Sequence, residues 1–349
     1  MSMTSTKNIS TNHLFGQNIV PPKILSDRFG RKFDYLRIAV NEKCNLRCIY
    51  CMPEEGIPFQ KDSHLLSTDE IYRLIKIVAR LGVTKIRFTG GEPLLRKDIF
   101  KLIDGASKTK GIKSVHLTTN GLLLESKIFD LVKFGLNGVN ISLDTLKSNR
   151  FKKISRRSGL KKVLRGIDVA LSLKKLKTKI NVVIMRNFNL DELKDFAELT
   201  KENNVIVRFI ELMPFDSKQI WKTGNFCGFQ KIIDNLSEIY PEMLPTNGTT
   251  TEHEIYKIPG YKGKIAVIPA YSRNLCGACN RIRITADGKI LNCLFSGEET
   301  DIMKFLRKGS GDDYIAEAMS LAMMNKLKNG WEAQRSRSEK RDSMTQIGG

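Results

Sequence analysis

Six short apolar or β-branched segments alternate with amphipathic segments between residues 35 and 211, and this alternation is the strongest constraint on the fold. Strands that alternate with helices lie parallel, because each parallel neighbour needs a long crossover connection, and such crossovers are right-handed. Six units are fewer than the eight of a closed TIM barrel. The pattern therefore predicts an α/β fold built as a partial (β/α)6 TIM-like barrel, with a doubly wound sheet as the alternative. The predicted strands are Tyr35–Val40, Thr84–Thr89, Ser114–Thr119, Gly138–Leu143, Lys179–Met185 and Val205–Glu211.

Amphipathic segments predict helices between these strands. Ser67 and Glu70 form a capping-box pattern, and apolar residues from Ile71 to Leu81 then recur on one helical face. Further helices are predicted at Lys97–Lys108, Leu123–Phe134, Leu160–Leu173 and Leu190–Asn203.

The strand–helix rhythm ends after Met213. We therefore divide the chain into a mobile N-terminal extension over residues 1–24, a barrel over residues 25–213 and a C-terminal module over residues 214–349. The C-terminal module is predicted to contain a strand at Lys264–Ile268 and a hairpin of Arg281–Thr285 and Lys289–Phe295, which turns at Asp287-Gly288.

The composition narrows the class of protein. The chain has 58 Lys and Arg against 37 Asp and Glu, a formal net charge of +21, and 41% of its residues are apolar. That apolar content supports a large core and excludes general disorder. The charge suits a nucleic acid, an anionic small substrate or simple solubility. No apolar run reaches the roughly 18 residues of a membrane span and the chain begins without a hydrophobic secretory core, so we expect a cytoplasmic protein.

Seven cysteines are too few for a disulfide scaffold, and six of them fall into two groups of three. The first group places three thiolates close together on the chain, which suits one soft metal centre. An iron–sulfur cubane usually takes four cysteines, so three leave one iron open, whereas a zinc site needs a distant fourth ligand. The second group fits either a zinc site with a remote ligand or a second cubane. The groups are Cys44, Cys48 and Cys51, then Cys276, Cys279 and Cys293; Cys227 stands apart and is predicted to be a buried core residue.

Polar residues follow the predicted strands at the point where each strand ends. Ligands of parallel barrels and of open α/β sheets collect at the carboxyl ends of the strands. These positions therefore predict a catalytic face. The residues are Cys44, Gly90 to Glu92, Thr119, Asn120, Ser142, Asp144 and Glu211 to Met213.

Several motifs of the chain are typical of one enzyme family. Cys44 to Cys51 and Gly90-Gly91-Glu92-Pro93 resemble the radical S-adenosylmethionine (SAM) superfamily. From about Leu25 to the last residue the chain more closely resembles the GTP 3′,8-cyclases of molybdenum-cofactor biosynthesis. This closer resemblance rests on residues 25–32, 35–37, 51–53, 85–96, 118–121, 142–144 and 208–211, on the second cysteine group with Arg281-Ile-Arg283, and on the closing Gly348-Gly349.

The resemblance implies a role for each matching residue. Cys44, Cys48 and Cys51 would hold a 4Fe-4S cluster whose free iron binds SAM, and Cys276, Cys279 and Cys293 would hold a second 4Fe-4S cluster that contacts the guanine base of GTP. The SAM pocket would include Tyr50, Gly91, Ser142 and Met213. GTP would be bound by Arg37, Lys85, Arg87, Thr118, Lys179, Arg208, Arg281 and Arg283. The implied catalytic residues are Arg281, Arg283, Gly348 and Gly349.

The residue types suit a triphosphate ligand. Planar guanidinium groups bind phosphate oxygens in pairs, so converging arginines recognise a polyanion better than a single lysine does. Arg281 and Arg283 are two residues apart on a predicted strand, and their side chains therefore point to the same face.

The implied activity is that of a radical SAM lyase. A 5′-deoxyadenosyl radical from SAM takes hydrogen from ribose C3′ of GTP, and the new carbon radical attacks guanine C8. The product is 3′,8-cyclo-7,8-dihydro-GTP, in the first step of molybdenum-cofactor biosynthesis. The implied partners are GTP, an external electron donor, a second copy of the chain in a homodimer, and cyclic pyranopterin monophosphate synthase, which takes the product. Neither a membrane nor a nucleic acid is expected.

Two other functions compete with this one. A radical SAM enzyme with a second cluster that modifies a peptide or an RNA would keep the first cysteine group, but it would require neither the Arg281–Arg283 pair nor the terminal diglycine. A basic, zinc-holding nucleic-acid binder would explain the net charge, including the 13 basic residues against one acidic residue between Lys147 and Lys179. Binding of that kind weakens steeply with salt.

Overall fold

The computed structural model of the chain describes residues 23–213, 225–246, 254–272, 276–335, 341 and 343–348. The strands are β1 (Tyr35–Ala39), β2 (Lys85–Thr89), β3 (Ser114–Thr119), β4 (Gly138–Ser142), β5 (Lys177–Ile184), β6 (Ile206–Glu211), β7 (Leu244–Pro245), β8 (Glu254–Lys257), β9 (Lys264–Ile268), β10 (Arg281–Ile284), β11 (Lys289–Leu291) and β12 (Thr300–Asp301). The helices are α1 (Thr68–Arg80), α2 (Ile99–Lys108), α3 (Leu124–Lys133), α4 (Ser148–Ser155), α5 (Leu160–Ser172), α6 (Leu193–Glu202), α7 (Phe229–Ile239), α8 (Met303–Arg307), α9 (Asp312–Met324) and α10 (Gly330–Arg335).

Strands β1 to β6 lie side by side in chain order, and each is parallel to its neighbours. The six predicted strands are all present, so the prediction of a partial TIM-like barrel is confirmed. The doubly wound alternative is wrong, because the strand order of a doubly wound sheet reverses at a switch point. The sheet is open, and β12 and β7 are its outermost strands.

Strands from the C-terminal half extend both edges of the barrel. β10 pairs in parallel with β1, and β9 pairs in parallel with β6. The register sets Arg37 beside Arg283, so arginines from distant parts of the chain become neighbours. The sheet thus crosses the boundary drawn at residue 213, and the division of the chain into parts stays a prediction. Most of the predicted extension, residues 1–22, lies outside the described residues.

The hairpin of β10 and β11 is present, but its second strand is shorter than predicted. β11 ends at Leu291, and Cys293 lies beyond the strand instead of within it. The side-chain amide of Asn292 donates to the carbonyl of Ala322 at 3.1 Å, which draws the backbone toward α9 and away from the sheet. The prediction of a strand over Lys289–Phe295 is therefore wrong at its end.

The helices between the barrel strands follow the predicted pattern, with two differences. α1 begins at the predicted capping box, in which Ser67 and Glu70 each accept a hydrogen bond from the other's backbone N–H. The segment predicted as one helix from residue 190 is a 3-10 turn at Leu190–Glu192 followed by α6. α4 was not predicted. Among the described residues, none of the helices is both long and apolar enough to cross a bilayer.

The core lies between the sheet and its helices. The apolar face of α1 is fully buried there, including Ile71, Leu74 and Val78. Cys227 belongs to the same core and is completely buried, as predicted. The opposite side of the barrel strands is left for polar side chains, and these form the site described next.

Candidate active site

A cavity of about 290 Å³ lies at the carboxyl ends of the barrel strands. This is close to the lower limit for small-molecule sites, and it is where parallel barrels place their ligands. Strands β1 to β6 line the cavity together with β9 and β10. Met344 and Thr345 complete its wall, so that residues from Tyr35 to Thr345 contribute to one site.

Most of the predicted site residues line this cavity. Those that do are Arg37, Cys44, Cys48, Tyr50, Cys51, Arg87, Gly91, Thr118, Ser142, Arg208, Met213, Arg281 and Arg283. Those among the described residues that do not are Lys85, Lys179, Cys276, Cys279, Cys293 and Gly348. Gly349 lies outside the described residues. The roles assigned to all of them stay predictions.

The first cysteine group lies on the loop that follows β1. The backbone N–H of Cys51 donates to the carbonyl of Cys48 at 2.8 Å, so the two residues form a tight turn. The N–H groups of Arg47 and Ile49 donate at 2.9 Å to two carbonyls at the end of α4. α4, which the sequence did not predict, therefore supports the loop from outside the barrel.

Burial disfavours the thiolate form of all three cysteines. It raises the pKa of Cys44, it raises the pKa of Cys48 with the help of the nearby Cys51 and Asp144, and it raises the pKa of Cys51 to about 12. A bound metal reverses this preference, because a coordinating thiol is deprotonated outright. Cluster binding here would therefore release protons.

The donor set fits an iron–sulfur cubane. All three thiols are free and half-buried, and they border one cavity. Among the described residues, no three His, Cys, Asp or Glu side chains lie close enough together to hold one metal ion. The cysteines of a cubane each bind a different iron, so they lie further apart than the ligands of a single ion.

Gly91 brings the end of β2 against the segment that leads into the cysteine loop. Its N–H donates to the carbonyl of Asn41 at 2.9 Å. A Cβ at this position would lie 2.3 Å from the carbonyl oxygen of Lys43 and 2.5 Å from that of Glu42. Only glycine fits this approach, which fixes the loop and leaves the cavity open beside it.

Tyr50 is held by Asp144, which the sequence placed only among the strand-end residues. The Tyr50 hydroxyl donates to the Asp144 carboxylate at 2.7 Å, and the N–H of Val183 donates to its other oxygen at 2.8 Å. Burial raises the pKa of Asp144 to about 6, although both donors favour the ionised carboxylate. This carboxylate thus joins the cysteine loop to β4 and β5.

Three guanidinium groups meet where β1 and β10 lie side by side. Arg283 is buried, and its Nη1 has no hydrogen-bond partner among the described residues. Burial, together with the charges of Arg37 and Arg281, lowers the pKa of Arg283 to about 9. An unpartnered buried donor is costly, so this group favours an anionic ligand.

Two further arginines line the cavity from β2 and β6. Arg87 donates to the hydroxyls of Tyr35 and Thr118, with a distance of 3.3 Å to the latter. Arg208 donates to the Asn181 side-chain oxygen at 2.8 Å. Neutral side chains therefore orient both guanidinium groups, and neither is neutralised by a carboxylate in these contacts.

The second cysteine group lies beside these arginines but outside the cavity lining. Burial opposes ionisation of Cys279, yet the charges of Arg281 and Lys326 lower its pKa to about 7. The carbonyl of Cys276 accepts a hydrogen bond of 3.1 Å from the Arg31 side chain. Cationic side chains therefore lie beside Cys276 and Cys279, and those beside Cys279 favour its thiolate form.

Lys85 and Lys179 do not line the cavity. Each is two residues before a cavity residue on the same strand face, namely Arg87 on β2 and Asn181 on β5. Two residues of strand span about 6.6 Å. Tyr35, the register partner of Lys85 on β1, does line the cavity. The Nζ of Lys85 is 4.6 Å from the centre of the Tyr35 ring.

The C-terminal residues return to the barrel. Gly348 has a φ of +68°, and a Cβ there would lie 2.9 Å from Cγ2 of Thr89 and 3.1 Å from Cβ of Ala39. Thr89 itself lines the cavity. Gly348 is therefore beside the site, in a position that only glycine occupies without strain.

One site residue was predicted without a partner, and two others were missed by the sequence analysis. Asn120, at the end of β3, donates to the sulfur of Cys44 at 3.7 Å, and the strand-end rule that flagged its position gave it no partner. Met344 and Thr345 also line the cavity. Nothing in their local pattern indicates this, because their contacts are with residues almost the whole chain away.

Comparison with known proteins agrees with this geometry. Residues 38–200 match the family described as Radical SAM superfamily, and residues 205–331 match the family described as Molybdenum Cofactor Synthesis C. The second match begins near the end of the barrel and contains the second cysteine group.

Curated relatives cover most of the chain. The GTP 3′,8-cyclase of Chlorobaculum tepidum is 44% identical over 326 residues, which are 93% of this chain and 97% of the relative. Molybdenum cofactor biosynthesis protein 1 is 45% identical over 319 residues in Dictyostelium discoideum and 42% identical over 304 residues in Homo sapiens. The chain spans about half the length of these two proteins, 50% and 48%.

A solved structure shares the fold at low identity. SuiB of Streptococcus suis, bound to S-adenosylmethionine, superposes with a TM-score of 0.57 and 16% identity over 85% of this chain and 65% of its own. The cysteine loop and the arginine-lined cavity agree with the match to the Chlorobaculum tepidum protein, which covers 97% of that relative. The chain therefore belongs to the GTP 3′,8-cyclase family of the radical SAM superfamily.

Proposed function

We propose that the chain converts GTP to 3′,8-cyclo-7,8-dihydro-GTP, the first step of molybdenum-cofactor biosynthesis. The observation that carries this proposal is the meeting of two groups on one cavity: the first cysteine group, which suits a redox cluster, and a set of arginines, which suits a polyanion. The arginines are Arg37, Arg87, Arg208, Arg281 and Arg283.

A radical SAM enzyme uses SAM and an iron–sulfur cluster. When bound, the cluster supplies the electron that cleaves SAM to a 5′-deoxyadenosyl radical, which takes hydrogen from ribose C3′ of GTP. Cys44, Cys48 and Cys51 would hold this cluster. The residues proposed for SAM are Tyr50, Gly91, Ser142 and Met213, all of which line the cavity beside the cysteines.

The arginines would bind and orient GTP. Arg283 supports this role most directly, because its buried Nη1 has no hydrogen-bond partner in the part of the chain that the structure describes, and a phosphate or guanine oxygen would provide one. Arg37 and Arg281 would share the same anion. Three converging cations hold the substrate against the radical source, and such positioning supplies a large part of the rate in this kind of chemistry.

We also propose that Cys276, Cys279 and Cys293 hold a second iron–sulfur cluster. The cations beside Cys279 favour its thiolate form, and Arg283 is electrostatically coupled to both Cys279 and Cys293. A cluster there would lie next to the arginines that are proposed to bind GTP. We expect about eight irons and eight sulfides per chain after anaerobic reconstitution, two cubanes in all.

The cycle also requires partners. An external donor must reduce the first cluster, and the product would pass to cyclic pyranopterin monophosphate synthase. We propose a homodimer and a cytoplasmic location in keeping with the family. Light scattering after size exclusion tests the oligomeric state, with a mass near twice 39.6 kDa expected.

The decisive assay incubates the reduced, reconstituted protein with SAM and GTP. It should yield 5′-deoxyadenosine together with a product isomeric with GTP. Arg283→Ala should lower formation of this product by about a hundredfold or more, because each lost hydrogen bond to a charged group contributes about 1.5–3 kcal/mol. Iron content should not change. Arg165→Ala is the matched control, since Arg165 pairs with Glu125 on the surface and its side chain is 53% exposed.

Other results would point elsewhere. Iron loss in Arg283→Ala would indicate that Arg283 maintains the structure of the cluster site and does not bind GTP. SAM cleavage without any GTP product, in the unmodified protein, would favour the enzyme that modifies a peptide or an RNA. Tightly held zinc without sulfide, combined with salt-sensitive oligonucleotide binding, would favour the nucleic-acid binder.

A further inference from the structure

The residues that follow α10 form a segment that lies directly on the first cysteine loop. We call Arg341 and Ser343 to Gly348 the tail segment. The backbone N–H of Met344 donates to the carbonyl of Cys51 at 3.1 Å, and the Ser343 hydroxyl donates to the same oxygen at 2.9 Å. Ser343 is completely buried. The contact is therefore a packed interface between the tail segment and the first cysteine loop.

The tail segment has its own local order at this contact. Ser343 caps a 3-10 turn over Met344–Gln346: the N–H of Thr345 donates to the Ser343 hydroxyl at 3.2 Å, and Gln346 accepts from the N–H of Ser343 at 3.3 Å. The turn places Met344 and Thr345 in the cavity wall. The tail segment thus closes the wall beside Cys51.

Arg341 holds the tail segment in place from its other side. Its guanidinium group pairs with both oxygens of Glu299, at 2.6 and 2.8 Å, and with Asp287 at 3.2 Å. Lys289 also contacts Glu299, at 3.3 Å. The side chains of Arg341, Asp287 and Glu299 are only 15%, 9% and 20% exposed, so solvent screens these pairs weakly.

We propose that Arg341 is a positioning residue: its ion pairs with Asp287 and Glu299 seat the tail segment on Cys51, and the seated segment shields the first cysteine group from solvent. The partners are outside the cavity lining, so Arg341 acts through the tail and not on a substrate. Only one consequence of this inference, the retention of the first cluster, rests on the proposed function. The seating itself depends on contacts between protein groups.

The seated tail also covers the turn that carries Cys51. The Ser343 hydroxyl and the N–H of Met344 both donate to the Cys51 carbonyl, and Thr345 lines the cavity that Cys51 borders. Release of the tail should therefore expose Cys51.

Two measurements test the proposal. In the full-length chain before reconstitution, kept reduced and anaerobic, alkylation of each cysteine by iodoacetamide is followed by mass spectrometry. Arg341→Gln should increase the alkylation rate of Cys51 by about tenfold, which corresponds to about 1.4 kcal/mol of seating free energy. The rate at Cys276 should stay unchanged. In the reconstituted protein, loss of the first cluster to a chelator should accelerate similarly, read from its EPR signal.

Matched variants separate positioning from general stability. Glu299→Gln should reproduce the effect, because it removes the ion pair between Arg341 and Glu299 from the other partner. Arg341→Lys should protect Cys51 better than Arg341→Gln does, because it keeps the positive charge. Arg335→Gln, which changes an exposed arginine of α10, should behave like the unmodified chain. Ser343→Ala should expose Cys51 even though the ion pairs of Arg341 are intact.

An unchanged Cys51 rate in both Arg341→Gln and Ser343→Ala would overturn the proposal. Equal acceleration at Cys51 and Cys276 would also overturn it, because Arg341 would then support the whole fold. Selective exposure of Cys51 in a protein that binds no cluster would support the seating and would instead refute the proposed function.

Discussion

Arg156 shows how a single residue can secure the first cysteine loop. Among the described residues it is the only non-glycine residue with a left-handed backbone, at a φ of 54°. Its guanidinium Nη1 donates to the carbonyl of Arg47 at 3.1 Å and to that of Met52 at 3.0 Å. These two carbonyls bracket Cys48 and Cys51, so the strained residue ties together both ends of that turn.

Arg156→Gly separates the strain from the contact. Glycine removes the left-handed strain, worth about 1–2 kcal/mol, but it also removes two hydrogen bonds from a charged donor, worth about 1.5–3 kcal/mol each. The bonds outweigh the strain, so we expect a net loss of about 1–5 kcal/mol in the free energy of unfolding by urea. The first cluster should also lose iron faster.

Arg157→Ala is the control for this variant, because Arg157 is the exposed neighbour on the same loop. It should leave both stability and iron retention near those of the unmodified chain. A gain in stability on Arg156→Gly would mean that the two hydrogen bonds contribute little and that the strain has no compensation.

Basic side chains of β2 and β5 lie around the buried His116 on β3, and we call this set the basic layer. His116 on β3 is paired in register with Arg87 on β2, and Lys85 and Lys179 lie close to it. Burial, and then the charges of Arg87, Lys85, Lys179 and Lys177, lower the pKa of His116 to about 2. The histidine is therefore neutral in the folded chain at any moderate pH.

His116 should make stability depend on pH in a defined direction. Its pKa is about 6.5 in the unfolded chain, so below that pH the unfolded state binds a proton that the folded state does not. The stabilising contribution is present above pH 6.5 and falls as the pH is lowered, by about 1.4 kcal/mol between pH 7.5 and 5.5. The measurement is denaturant unfolding of the unmodified chain and of His116→Gln at pH 7.5 and at pH 5.5. The loss of about 1.4 kcal/mol should appear in the unmodified chain and be absent from His116→Gln.

His64→Gln provides the comparison, because His64 is exposed. It should keep the pH dependence of the unmodified chain. Equal pH dependence in His116→Gln and the unmodified chain would show that His116 titrates normally, and that the basic layer does not keep it neutral.

The same strands show how far sequence patterns reach. Lys85 and Arg87 are two residues apart on β2, and the resemblance implied that both bind GTP, yet of the two only Arg87 lines the cavity. Spacing on a strand determines which face a residue occupies, whereas access to the cavity also depends on neighbouring side chains, such as the Tyr35 ring beside Lys85. The residue types at the strand ends therefore predicted the site, but not which basic residues reach the cavity.

Long-range pairing was beyond the reach of the sequence. The strands β9 and β10 read locally as ordinary strands, and nothing in them specifies that they flank β6 and β1. The loss of Cys293 from β11 depends on a side-chain contact with α9. Thr345 lies in the cavity wall because Arg341 and Ser343 hold the tail segment, and none of these residues belongs to a periodic apolar pattern in the sequence.

At the scale of the whole molecule, the barrel and the C-terminal half share one sheet. β1 and β6 would be the outer edges of a chain that ended at residue 213, and each would lose a parallel neighbour. Unpaired strand edges expose N–H and C=O groups that pair readily with other chains. The barrel therefore depends on the second half for more than a binding site.

A fragment of residues 23–213 tests this dependence. Expressed alone, it should be largely insoluble or form large oligomers by size exclusion, because both of its edges are open. Co-expression of residues 214–349 should restore a soluble complex, since β9 and β10 can then cover those edges. A monomeric fragment that unfolds cooperatively would show instead that residues 25–213 form an independent domain, as the sequence division predicts, and that the C-terminal strands stabilise the site without being needed for the fold.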